Sequence, residues 1–117
     1  MKEKVANQKS YAFALRIIKL YSFLRDEQKE YVLSKQVLRS GTAIGALIRE
    51  AEQAESRPDF IHKLAIANKE ASETHYWLSL LRDSKLLEDR LANSFLMDCE
   101  EIQKLLIASI KTSKMKR

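Results

Sequence analysis

Apolar residues recur along this chain at helical spacing, not at the alternation of strands. The plainest run lies just past the middle, where Phe60, Leu64, Ala67, Ala71, Thr74, Leu78 and Leu81 alternate steps of four and three. That repeat keeps one stripe in register along a helix that packs at a shallow angle in a bundle. Ser56 predicts the N-cap of this helix, with Asp59 three residues on and Pro58 in the first turn, where a missing N–H costs little. A preceding helix is predicted from roughly Lys29 to Glu55, with Leu33, Val37, Ile44, Ile48 and Ala51 along one side. Gly41 and Gly45 sit inside it. Because a helical glycine costs up to about 1 kcal/mol relative to alanine, a pair four residues apart predicts close approach by a neighbour.

A first helix is predicted over about Ser10 to Leu24 and a last one over about Glu88 to Thr112. The connections at 25–28 and 82–87 are short, so sequential helices are antiparallel neighbours. The expected fold is all-α, an antiparallel up-down-up-down four-helix bundle formed by residues 1–117 as one domain. Residues 1–9 and 113–117 are expected as flexible basic ends, brought to the same end of the bundle by its topology.

Two of the helices carry more apolar surface than one core face requires. Phe13, Ile17, Leu20 and Leu24 form one stripe of the first helix, and Tyr11, Ala14, Leu15, Ile18 and Tyr21 form a second beside it. In the last helix Leu91, Phe95, Cys99, Ile102, Leu106 and Ile110 form one band, with Leu96 and Ile107 beyond it. The third helix adds Ile66, Trp77 and Leu80 off its seam. Such an excess predicts self-association. The expected interface residues are Tyr11, Leu15, Ile18, Ile66, Glu70, Glu73, Trp77, Leu80, Leu96 and Ile107. Glu70 and Glu73 are included because carboxylates among apolar residues need partners, from Arg39, Arg49 or another copy.

Composition supports this picture. Glycine (2) and proline (1) are scarce, which favours long helices over a turn-rich sheet protein. No apolar run approaches the ~20 residues of a membrane span, and the opening Met1-Lys2-Glu3-Lys4 leads into mixed charge, so no membrane partner and a cytoplasmic location are expected. The lone Cys99 fits that compartment and is expected in the core.

The net charge of +5 is concentrated at the ends. Lys2, Lys4 and Lys9 against Glu3 give +2, and Lys111, Lys114, Lys116 and Arg117 give +4, which leaves the body at −1. These seven cations are the candidate nucleic-acid contacts.

Nothing points to catalysis, and no catalytic residue, cofactor or metal is expected. The chain has no phosphate-binding glycine loop, paired-cysteine site or nucleophile elbow. His62 and His75 are separated by about 220° around their helix, too far to share a ligand. A single Asp59-Phe60-Ile61-His62 has no second copy of the kind that di-metal bundles use. Glu50, Glu52 and Glu55 crowd a helix C-terminus, where the dipole disfavours them. The start of the third helix, with His62 and Lys63, is expected beside them.

The stretch from Gln36 to Ala51, QVLRSGTAIGALIREA, resembles the second helix of the 23S rRNA-intervening-sequence protein family, also called the S23-like four helix bundle family. The likeness continues through Ser56, Asp59-Phe60, Lys63-Leu64, Ile66-Ala67, Lys69-Glu70-Ala71, Glu73-Thr74 and Tyr76-Trp77-Leu78. Leu47 departs from it, standing where the family often places asparagine. The resemblance implies a ring-shaped homopentamer. A related accessory protein of diversity-generating retroelements has the same architecture and works with nucleic acid. In such a ring the charged ends would gather on the order of thirty positive charges on one rim, a surface suited to RNA or DNA phosphates. The alternative expectation is a scaffold for a protein partner, with no direct nucleic-acid contact.

Overall fold

The computed structural model describes the backbone of residues 2–116 and the side chains of residues 4–116. Four helices follow one another: α1 (Lys2–Asp26), α2 (Leu33–Glu52), α3 (Arg57–Asp83) and α4 (Asp89–Met115). Each packs on its neighbours in chain order, and α4 closes back on α1. The result is the expected antiparallel four-helix bundle, 50 × 21 × 19 Å.

The core is built from the predicted stripes. Phe13, Ile17, Leu20 and Leu24 of α1 meet Val37, Ile44 and Ile48 of α2, the Leu64–Leu81 seam of α3, and Phe95, Cys99, Ile102 and Leu106 of α4. The two glycines lie where α1 presses on α2. A Cβ at Gly41 would stand 2.9 Å from Ile17 Cγ1, and one at Gly45 would stand 3.3 Å from Ser10 Oγ and 3.5 Å from the Ser10 carbonyl oxygen. The close approach expected from their spacing is therefore made by α1.

Several boundaries differ from the sequence expectation. The α1 helix begins at Lys2 and not at Ser10, so residues 2–9 are not a loose basic extension. Ala6 and Ser10 are buried and continue the core stripe with residues too small or polar to register as apolar. At the other terminus α4 runs on to Met115, with Ser109 and Ser113 buried in the same way. The α2 helix is shorter than expected, starting at Leu33. Glu30 sets that start by accepting hydrogen bonds from the backbone N–H of Val32, Leu33 and Ser34 at 3.2, 3.0 and 2.7 Å. Burial works against its ionisation, but those N–H donors win and hold its carboxyl below the ordinary glutamate value. Just before it, Lys29 occupies the left-handed region at φ 54°, as Lys85 does at φ 65° before α4. The N-cap of α3 is as predicted: Ser56 Oγ accepts from Asp59 N–H at 3.2 Å, with Pro58 in the first turn.

Candidate assembly and nucleic-acid surfaces

The second stripe of α1 lies outside the bundle. Tyr11, Leu15 and Ile18 are 55%, 49% and 46% exposed. Tyr11 and Ala14 border a shallow groove of about 200 Å³ whose α2 wall is Thr42, Gly45, Ala46 and Arg49. Ile107, 54% exposed, presents an apolar side chain to the outside of α4. Leu96 does not: it is 5% exposed and part of the core, on the side of α4 where Asn93 and Glu100 bond Arg82 and His75 of α3. Ile66 and Leu80 are half-buried.

Glu70 and Glu73 are paired within the chain. Arg39 Nη1 lies 3.3 Å from Glu70, and Arg39 Nη2 donates to Glu73. Trp77 Nε1 donates to the same Glu73 oxygen atom at 2.9 Å. Of the two arginines expected as partners, Arg39 fills the role. The carboxylates thus bind α2 to α3, and Trp77 is half-buried against them.

Asn7 of α1 donates to Glu52 at the end of α2, and Arg57 at the start of α3 donates to the Lys116 carbonyl at the end of α4, 2.6 Å away. These bonds join both chain ends at one end of the bundle, as the topology implied. Lys4, Lys111, Lys114 and Lys116 are exposed there, while Lys9 is engaged by Glu101 at 3.3 Å. Of the seven cations expected to contact nucleic acid, the side chain of Lys2 and all of Arg117 lie outside the described residues. The same end also carries Glu50, Glu52 and Glu55, so its charge is mixed. Lys63 reaches Glu50 at 3.0 Å, the pairing expected from antiparallel packing. That hydrogen bond raises the ammonium's pKa.

Asp59, His62, His75 and Cys99 lie in different surroundings. Asp59 helps to cap α3 and His62 is exposed on its outer side, while His75 meets Glu100 at 2.8 Å. Cys99 is fully buried with its Sγ 3.2 Å from the Ala71 carbonyl oxygen. Burial, with a smaller push from the charges of Glu100 and Asp98, raises its thiol to about 12. Among the described residues no three His, Cys, Asp or Glu side chains converge, and no helix is long and apolar enough to cross a membrane.

The model of the family described as 23S rRNA-intervening sequence protein matches residues 2–108. The chain belongs to this family. A solved structure agrees over nearly the whole bundle: a protein of unknown function from the S23 ribosomal protein family of Bacteroides thetaiotaomicron VPI-5482. It is 58% identical, with 95% of this chain and 99% of that chain covered at a TM-score of 0.94. No curated protein matches. The resemblance carried by Gln36–Ala51 and the α3 residues therefore identified the family correctly, and the family's function is unassigned in that relative.

One cluster was not anticipated. Arg49 Nε donates to Asn7 Oδ1 at 3.4 Å, and its guanidinium carbon lies 5.5 Å from the centre of the Tyr11 ring. The sequence offers Arg49 as a candidate partner for Glu70 and Glu73, the role that Arg39 fills instead. Its position one residue before Glu50 gave no sign that it would turn toward α1.

Proposed function

We propose that this chain is a non-enzymatic subunit of a homo-oligomeric ring, pentameric as the family resemblance implies, acting in the bacterial cytoplasm. The assembled terminal end then holds RNA or DNA phosphates. The observation that carries assembly is the exposed Leu15–Ile18 stretch of α1, with Tyr11 at its terminal margin. Isolated subunits rarely leave such a continuous stripe in water. Ile107, on α4, offers a second and different apolar patch. Two unlike patches favour head-to-tail association, which gives a ring when the rotation from one copy to the next closes. The nucleic-acid part draws on Lys4, Lys111, Lys114 and Lys116, which repetition around a ring would multiply. Leu15→Glu combined with Ile18→Glu should lower the solution mass while leaving helical circular dichroism unchanged. An unchanged mass for that double variant removes α1 from the interface.

A second reading, a scaffold for a protein partner without nucleic acid, is favoured by a more apolar groove of about 370 Å³ between α1 and α4. Phe23, Leu91 and Phe95 line it together with Arg16 and Lys19. Recovery of a specific protein after nuclease treatment, undiminished when residues 111–117 are deleted, would favour this reading over the first.

A further inference from the structure

Arg49 of α2 is held by Asn7 of α1, and the way it is held leaves it ready for an external anion. The two carboxylates beside it in sequence are committed elsewhere. Glu50 turns to Lys63 at 3.0 Å, and Glu52 accepts from the Asn7 side-chain amide. The other end of that amide, Asn7 Oδ1, accepts from Arg49 Nε at 3.4 Å. Glu52 therefore orients Asn7, and Asn7 orients the guanidinium, while its two terminal nitrogens have no acceptor among the described residues. The guanidinium carbon stands 5.5 Å from the centre of the exposed Tyr11 ring. Lys4, Asn7, Gln8, Tyr11 and Arg49 together line a depression of about 280 Å³. A guanidinium whose terminal N–H groups are unpartnered among the described residues, beside an exposed aromatic ring with an ammonium and an amide close by, suits both the phosphate and the base of a single-stranded nucleic acid. The guanidinium edge takes a phosphate bidentately, and the aromatic–guanidinium pair extends a base stack.

We infer that this depression, at the terminal end of the α1–α2 seam, is a single-stranded nucleic-acid subsite, with Arg49 on a phosphate and Tyr11 under a base. The inference rests on the nucleic-acid part of the reading above but moves the central contact from the terminal lysines to a positioned arginine. It also explains why Tyr11 sits at the margin of the apolar stripe and not within it: Leu15 and Ile18 serve assembly, and the ring one turn earlier serves the ligand. Exposed lysine tails give charge without orientation. A guanidinium oriented through Asn7 and Glu52 gives a preferred direction for one phosphate per subunit.

The test is fluorescence anisotropy of the full-length protein with a labelled single-stranded RNA of about a dozen nucleotides, its DNA counterpart, and a free mononucleotide as competitor, across a salt series. Arg49→Gln should weaken polynucleotide binding about ten-fold or more and reduce the logarithmic salt slope by about 0.7. Tyr11→Leu, which keeps apolar bulk for assembly, should weaken binding at least about five-fold with the slope unchanged, and Tyr11→Phe should bind as the wild type does. Light scattering on each variant separates ligand loss from subunit loss. A Tyr11→Leu defect that comes with a lower mass counts against the stacking role. Should Arg49→Gln and Tyr11→Leu both bind normally while deletion of residues 111–117 abolishes binding, the subsite is wrong and the broader reading stands. If the wild-type protein binds neither RNA nor DNA at low salt, both are wrong.

Discussion

Replacing Gly41 by alanine probes the contact on which the α1–α2 packing depends. The new methyl carbon would stand 2.9, 3.0 and 3.1 Å from Cγ1, Cγ2 and Cδ1 of Ile17. Favourable carbon–carbon contacts lie near 3.5–4.0 Å. Ile17 is fully buried and branched at Cβ, so it cannot swing aside without moving into Phe13, Leu20 or the facing helices. Overpacking of this kind costs about 1–3 kcal/mol. The gain in helix propensity from glycine to alanine returns about 1 kcal/mol. The balance is a destabilisation of about 1 kcal/mol. Gly45→Ala supplies the control within the same helix. Its nearest neighbour is Ser10 Oγ at 3.3 Å, with the backbone at 3.5 Å and beyond, so the propensity gain should offset or outweigh the contact. Urea unfolding followed by circular dichroism, at fixed protomer concentration because assembly adds to apparent stability, should show a lower midpoint for Gly41→Ala and an unchanged or higher one for Gly45→Ala. Two equal increases would refute the reasoning, since the backbone of α2 would then have room at both positions.

Three further outcomes bear on the fold. Lys29 holds a left-handed backbone that costs a non-glycine residue about 1–2 kcal/mol, so Lys29→Gly should raise stability by about 0.5–1 kcal/mol after glycine's own entropic cost; chemical denaturation measures it, and a loss would contradict the loop geometry. Thr74 and Ser40 hydroxyls meet at 2.9 Å inside the core, so Thr74→Val should cost about 1–3 kcal/mol by orphaning the serine, and adding Ser40→Ala should recover part of it. The Cys99 thiol, raised to about 12 by burial, should react with a disulfide reagent at pH 8 far more slowly in the native protein than in urea. The folded state favours its neutral form, so its contribution to stability is complete below the unfolded value near pH 9 and is lost as pH rises from there toward 12; equal labelling rates in native and unfolded protein would contradict the burial.

Much of this molecule was legible because its strongest signals are local. The four–three repeat from Phe60 to Leu81 and the Ser56 cap required only helical periodicity, and both were found where expected. The glycine pair announced a close approach, although only the structure shows that Ile17 and Ser10 make it. Helix ends were less legible because side chains outside the apolar code decide them. Glu30 caps α2 through three N–H groups without the serine or aspartate that marks most caps. Ala6, Ser10, Ser109 and Ser113 extend the core with residues that read as neutral. Leu96 was misplaced for a different reason. Periodicity locates the centre of a core stripe well but not how far a neighbouring helix reaches around it. The Arg39 pair and the Arg49–Tyr11 cluster were out of reach for the same reason, since each depends on which way a long side chain turns between two helices.

The central claim is that the surface left bare by one bundle is covered by another copy. Multi-angle light scattering of the wild-type chain tests it most directly. A ring of five predicts a species of about 68 kDa, five times the 13.6 kDa of one chain, persisting on dilution to low micromolar concentration. A single species at 13.6 kDa, with the Leu15–Ile18 stripe intact, would contradict it.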